Sequence, residues 1–259
     1  MGNGPNPLIA ARNMLAARRL RTPRPQGDDT VDHTSLANVL SLLKGEGVRS
    51  LPDAASDLAS YRDELATIDP DGLSRSEALA YWINLYNAGA LHRAGEAYSS
   101  NYDSVLRVPG ALAHPWIAVA GETLSLDDIE HGKIRRFRDP RIHGALVCGS
   151  VSCPTLRGEP FGGQQLGDHL DDQMRFFLAS GGARLDRSTN TLHLTRVLKW
   201  YGGDFVRPNR MPTLIPTTRR RVASAISSWL EPDDADFIAG RRPKVVFAPY
   251  DWGLGCSVV

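Results

Sequence analysis

The feature that most limits how this chain can fold is the run Ser74-Arg-Ser-Glu-Ala-Leu-Ala-Tyr-Trp-Ile-Asn-Leu-Tyr-Asn-Ala-Gly-Ala-Leu91. It opens with a serine three places before a glutamate, the spacing of a capping box, and then turns apolar on nearly every side. Such a helix has no solvent face, so other elements must be arranged around it. Asn84 and Asn87 lie three apart and share a face of it. A buried amide without partners costs about 1–3 kcal/mol. The pair therefore either pins neighbouring loops or lines a polar pocket and orients a substrate or an imidazole.

The reactive residues concentrate in Asp139-Pro-Arg-Ile-His-Gly-Ala-Leu-Val-Cys-Gly-Ser-Val-Ser-Cys-Pro-Thr-Leu-Arg157. The apolar run predicts a buried strand from Ile142 to Cys148 that opens into a tight polar loop, Gly149 to Pro154. Alternate residues of a strand face opposite ways, which separates His143 from Cys148 and makes Cys148 a small core residue at the strand end. Cys153, in a loop that can turn back, can approach His143, or His131 from the preceding helix. The N–H groups of Gly149 to Ser152 are candidate donors to an oxyanion. Cys153 is thus the candidate nucleophile and His143 or His131 the base. Glu130, turned about 100° from His131 on a helix, is expected to orient another group, such as His143 or an arginine. Asn84, Asn87, Ser150 and Ser152 are the candidate binding residues.

Around these two stretches, Pro7 to Leu20 has helical spacing and a basic face, ended by the Pro, Gly and charge of Arg21 to Asp29. This predicts a loosely attached N-terminal basic arm over residues 1–30. Peripheral helices are expected at Ser35 to Lys44 and Asp53 to Leu65. Trp116 to Ala120 and Thr123 to Leu126 flank Gly121-Glu122, a two-residue Gly-X turn that predicts a hairpin. Ser125 and Asp128 cap a helix carrying Glu130 and His131, which ends in the basic run Lys133 to Arg138, suited to a helix C-terminus. An amphipathic helix (Gln164 to Ala179), a second hairpin (Ala183 to Thr195), a basic helix near Thr217 to Leu230 and a closing strand (Lys244 to Ala248) follow. No repeat or long linker interrupts residues 31–259. The expectation is one α+β domain, helix-rich, with a small, mainly antiparallel sheet and hairpins, plus the N-terminal helical arm.

Lys plus Arg number 30 against 29 Asp plus Glu, so overall charge gives no reason to bind nucleic acid. Three cysteines are too few for a disulfide framework, and no paired Cys/His spacing makes a zinc site, so neither metal nor cofactor is expected. Gly162-Gly163 and Gly181-Gly182 lack the context and the lysine of a phosphate loop and read as turns. The first thirty residues lack the apolar stretch of a secretory signal, and no segment reaches transmembrane length. A reducing, cytoplasmic compartment is expected. Cys256-Ser-Val-Val259 has the outline of a prenylation box, but Ser257 is not aliphatic, and the likeness is read as chance.

Five motifs occur in order: Tyr81-Trp-Ile-Asn-Leu-Tyr-Asn87, Ser125-Leu-Asp-Asp-Ile-Glu-His131, Arg141 to Pro154, Leu198-Lys-Trp-Tyr201 with Asp204-Phe205, and Tyr250-Asp-Trp252. With these the chain resembles an uncharacterised bacterial and plant family, domain-of-unknown-function family 547, over roughly residues 70 to 255. The resemblance supplies positions rather than a reaction. Bacterial members often carry an export or lipoprotein signal, which this chain is not expected to have. Plant members have serine where this chain has Cys153.

The residues themselves point to a cysteine-dependent hydrolase or acyl-transferase acting on an amide or thioester bond, with Cys153 attacking and His143 or His131 carrying the proton. The ligand expected is a small molecule or peptide, and a protein partner is left open. The alternative is a non-catalytic binding or scaffold domain, which the plant serine favours. A Cys148/Cys153 redox pair ranks third, since its spacing is not the Cys-x-x-Cys of dithiol enzymes.

Overall fold

The apolar run becomes the longest helix. Ser74 caps it, its hydroxyl accepting from Glu77 N, and the helix continues to Ser99 with eighteen buried residues. Only half of the expected capping box forms. The Glu77 carboxylate turns instead to Gly163 N (2.8 Å) and Val31 N (3.2 Å), tying two loops to the helix start. Each buried Leu or Ile here contributes roughly 1.5–3 kcal/mol, which fixes this helix as the centre of what surrounds it.

The computed structural model describes residues 7–259, with side chains from Ala11 onward. The helices α1 (Pro7–Ala16), α2 (Thr34–Glu46), α3 (Ala55–Ala66) and α4 (Arg75–Ser99) precede the strands β1 (Pro115–Val119) and β2 (Glu122–Ser125). After α5 (Leu126–Asp128) and α6 (Leu166–Phe177) come β3 (Ala183–Asp186), β4 (Thr191–Leu194), α7 (Val197–Trp200), α8 (Gly202–Val206), α9 (Arg219–Ala225), α10 (Pro232–Arg241) and β5 (Lys244–Phe247). The fold is α+β.

The chain divides into two compact units interleaved in sequence. The first comprises Met1–Phe137, Leu146–Gly167 and Asp251–Val259, the second Arg138–Ala145 and Asp168–Tyr250. In the first, α3 packs on α4 and α2 on α3, burying Leu36, Val39, Leu40, Leu58, Tyr61 and Leu65. The segment after α1 is tied down rather than loose: Arg21 N donates to Glu122 Oε1, Arg24 N to Asp71 Oδ1 and Gly27 N to Leu73 O. The basic run contributes to this, because Lys133 Nζ donates to Arg21 O and Arg136 to Ala17 O.

The β1–β2 hairpin turns one residue earlier than its sequence suggests. Val119 pairs with Glu122, and Ala120 and Gly121 both have positive φ (49° and 80°), the geometry that matches strand twist. In the second unit, β3 and β4 form the expected hairpin, and β5 joins β4 in parallel, with α7 to α10 carried by the long connection between them. Met174, Leu178, Leu192, Leu194, Leu198, Val222 and Ile226 fill its core.

The expected strand Ile142 to Cys148 does not form. Asp139 caps Arg141 N and Pro140 occupies the first helical position, so Pro140–Gly144 is a tight helical turn. Beyond it Val147 N donates to Asn87 Oδ1 (3.1 Å) and Cys148 N to Cys153 Sγ (3.0 Å). Side chains take the donors that a strand would offer a neighbour.

Candidate functional site

In the first unit, Gly149 (φ 73°) reverses the chain after Cys148, a backbone region that suits glycine. A Cβ there would stand 2.8 Å from Val105 Cγ2 and 3.1 Å from Ala94 Cβ, so the loop lies close against its neighbours. The tail then clamps it: Val151 N donates to Gly253 O, Ser152 N to Asp251 O, and Gly255 N to Gly149 O. Ser152 Oγ accepts from Asp251 N at 2.9 Å.

Two donors and a second sulfur converge on the Cys153 sulfur in this loop. Cys148 N lies 3.0 Å from it, Ser150 Oγ 3.3 Å and Cys148 Sγ 2.7 Å. Hydrogen bonds to a charged form favour it, so this surrounding suits a thiolate. Cys148 is accordingly no buried strand-end residue. It is half-buried, and its sulfur touches those of Cys153 and Ser150 Oγ (3.1 Å). An opening of about 230 Å³ borders the loop, lined by Val147, Gly149, Ser150, Val151, Cys153, Pro154, Gly255, Cys256 and Ser257. Burial pushes the Cys256 thiol up to about 12, with the Cys153 sulfur adding to the shift.

The expected oxyanion donors are partly committed. Val151 N and Ser152 N are bonded to the tail, and Cys148 N donates to the sulfur itself. Ser152 holds the tail on both its backbone and side chain, whereas Ser150 faces the sulfur. Asn84 gives Nδ2 to Phe161 O (2.8 Å) and accepts from Phe161 N (3.0 Å), and Asn87 accepts from Val147 N. Both amides join α4 to loops, and the gap they border holds about 10 Å³.

His131 and Glu130 sit in a turn wider than an α-helix, Ile129–Lys133, all of it buried. The wider turn swings neighbours together, and Glu130 Oε1 comes within 3.4 Å of His131 Nδ1. Arg135, 1% exposed, approaches the same nitrogen at 3.3 Å, and Tyr86 Oη reaches Glu130 Oε2 at 3.4 Å.

In the second unit, His143 is held by a carboxylate. Its Nε2 lies 3.0 Å from Asp204 Oδ2, and Asp204 Oδ1 accepts from Thr213 N at 3.1 Å. The ring stacks on Tyr201 (centroids 4.0 Å apart, planes at 17°) with Phe205 at 5.7 Å. Gly144 beside it lets the turn approach α6, since a Cβ would meet Met174 Sδ at 3.1 Å. Among the described residues no group of three or more His, Cys, Asp or Glu is arranged to hold a metal ion.

Residues 70–178 match the family model described as "Protein of unknown function, DUF547". The matched stretch is similar to that family. It takes in Asn84, Asn87, Glu130, His131, His143 and the whole thiol loop, while Tyr201, Asp204, Tyr250 and Cys256 fall beyond the match. No curated protein and no solved structure matches the chain. Among the described residues no helix is long and apolar enough to cross a membrane.

Sequence reasoning missed two parts of these settings. Asp204 was visible only as part of a family motif, though a histidine that serves as a base calls for a carboxylate, and it is the acidic residue of that motif. Cys256 gave no local sign of its place beside the loop, because the tail reaches the loop only through pairing across a hundred residues of chain.

Proposed function

We propose that the protein is a cysteine-dependent hydrolase or acyl-transferase acting on an amide or thioester bond, with Cys153 as nucleophile. The observation that carries this is the convergence of Cys148 N, Ser150 Oγ and Cys148 Sγ on the Cys153 sulfur beside an opening. The thiol proton passes to an imidazole, the sulfur–carbon bond forms, and the carbonyl electron pair moves to oxygen. That pair returns as the leaving group departs with its bonding electrons and takes the proton. Water or an acceptor then cleaves the thioester.

His143 is the better equipped base of the two imidazoles. Asp204 Oδ2 fixes the His143 ring from one side at 3.0 Å, whereas His131 Nδ1 is shared between the Glu130 carboxylate and the Arg135 guanidinium. This assignment rests on the surroundings of each ring, and variants decide it. A small molecule or a peptide end is the ligand class, and free thiols suit a reducing, cytoplasm-like compartment.

Limited alkylation with iodoacetamide at pH 7, mapped by peptide mass, is expected to label Cys153 at least ten times faster than Cys148 or Cys256. Equal labelling, or none before denaturation, would overturn the nucleophile. One observation favours a scaffold instead: the Cys153 sulfur accepts the Cys148 N–H, a service a serine hydroxyl also performs. In that case Cys153→Ser keeps the melting temperature and no acyl-enzyme is ever trapped.

A further inference from the structure

We infer that the group received beside Cys153 is a short, uncharged acyl group, its larger leaving group remaining in solvent. This rests on Cys153 being the nucleophile. Among the nine described lining residues there is no Asp, Glu, Lys, Arg or His, and the walls are Val147, Val151 and Pro154 with backbone of Gly149 and Gly255. Ser150 and Ser257 add hydroxyls, which can solvate a carbonyl without selecting for charge. Cys256 stays neutral, because burial holds its thiol far above physiological pH. An anionic acyl group such as succinyl would bring its carboxylate against valine and proline with no cation to meet it, and a desolvated, unpaired charge is costly.

Size sets the second limit. The opening holds about 230 Å³. That suits a short acyl group better than a lauroyl chain. It lies below the about 300 Å³ at which pockets enclose drug-sized ligands, so a bulky leaving group has to stay outside. Val151, 58% exposed, stands where the opening meets solvent and is the residue whose charge an entering group feels first.

The test offers the full chain acetyl, butyryl, succinyl and lauroyl thioesters of one leaving thiol. Acylation of Cys153 is read by intact mass and peptide mapping. Acetyl and butyryl are expected to react at least tenfold faster than succinyl and lauroyl. Val151→Lys, an exposed change that folding tolerates, is expected to raise the succinyl rate severalfold and leave lauroyl slow. If succinyl or lauroyl matches butyryl in the parent protein, or V151K leaves the ranking unmoved, the inference fails while the nucleophile stands. If neither iodoacetamide nor any thioester modifies Cys153 in the folded protein, the nucleophile fails and takes the inference with it.

Discussion

The two buried histidines are held in opposite ways. His143 meets one carboxylate, locked from behind by Thr213 N, and lies flat against Tyr201. His131 is bracketed on a single nitrogen by a carboxylate and a guanidinium, in a turn buried throughout. An imidazole with one oriented carboxylate is held in a single orientation. An imidazole between opposite charges is tied to two neighbours through one nitrogen. Burial alone therefore says little about a histidine's role, and the charges beside the ring say more.

The sharpest break of this contrast is kinetic. Asp204→Asn keeps the shape of the His143 partner and removes its charge, and the acylation rate of Cys153 is expected to fall on the order of 10³-fold, while His131→Gln leaves it unchanged. The reverse pattern, measured with butyryl thioester, would move the base to His131. Next comes stability. Arg135→Ala empties a site that is 1% exposed and strips His131 of a neighbour, so urea unfolding is expected to register a loss of roughly 3–5 kcal/mol. A loss under about 1 kcal/mol would show that the His131 cluster is not the knot described here.

A third histidine extends the comparison to pH. His33 Nδ1 lies 2.6 Å from Tyr61 Oη, and burial drags its pKa down to about 4. The unfolded chain binds that proton first, so stability is complete above the ordinary value of 6.5 and falls as pH drops towards about 4. The expected loss across that window is about 3 kcal/mol, read by urea unfolding at each pH, and His33→Gln should flatten it. A parent profile no steeper than that of the variant would remove His33 as the cause. The smallest effect is expected at Asn84. Replacing it by Ala removes two hydrogen bonds to the Phe161 backbone, at a cost of about 2 kcal/mol, without slowing acylation if the amide is only a pin.

These features were unequally legible. The central helix could be read because its cap and its all-round apolar character are local, and α6 could be read from Leu166, Leu170, Met174, Phe177 and Leu178, all buried. The run at Ile142 to Cys148 misled, because a short apolar stretch has no periodicity that separates a strand from a helical turn. Asp139 and Pro140, the local signals of a turn, decided it. Helix α10 announces itself through Pro232 at its first position and Asp233 and Asp234 in its first turn, yet was passed over. Asn84 could only be left open, since its partner Phe161 is distant in sequence.

The bonds from Asp251, Gly253 and Gly255 to the loop of residues 149–152 give this protein a remote latch. A protease nicking the backbone between Tyr250 and Asp251 would spare every candidate catalytic side chain. It would nevertheless free the piece that gives the thiol its cavity, leaving a sulfhydryl on an unbraced bend.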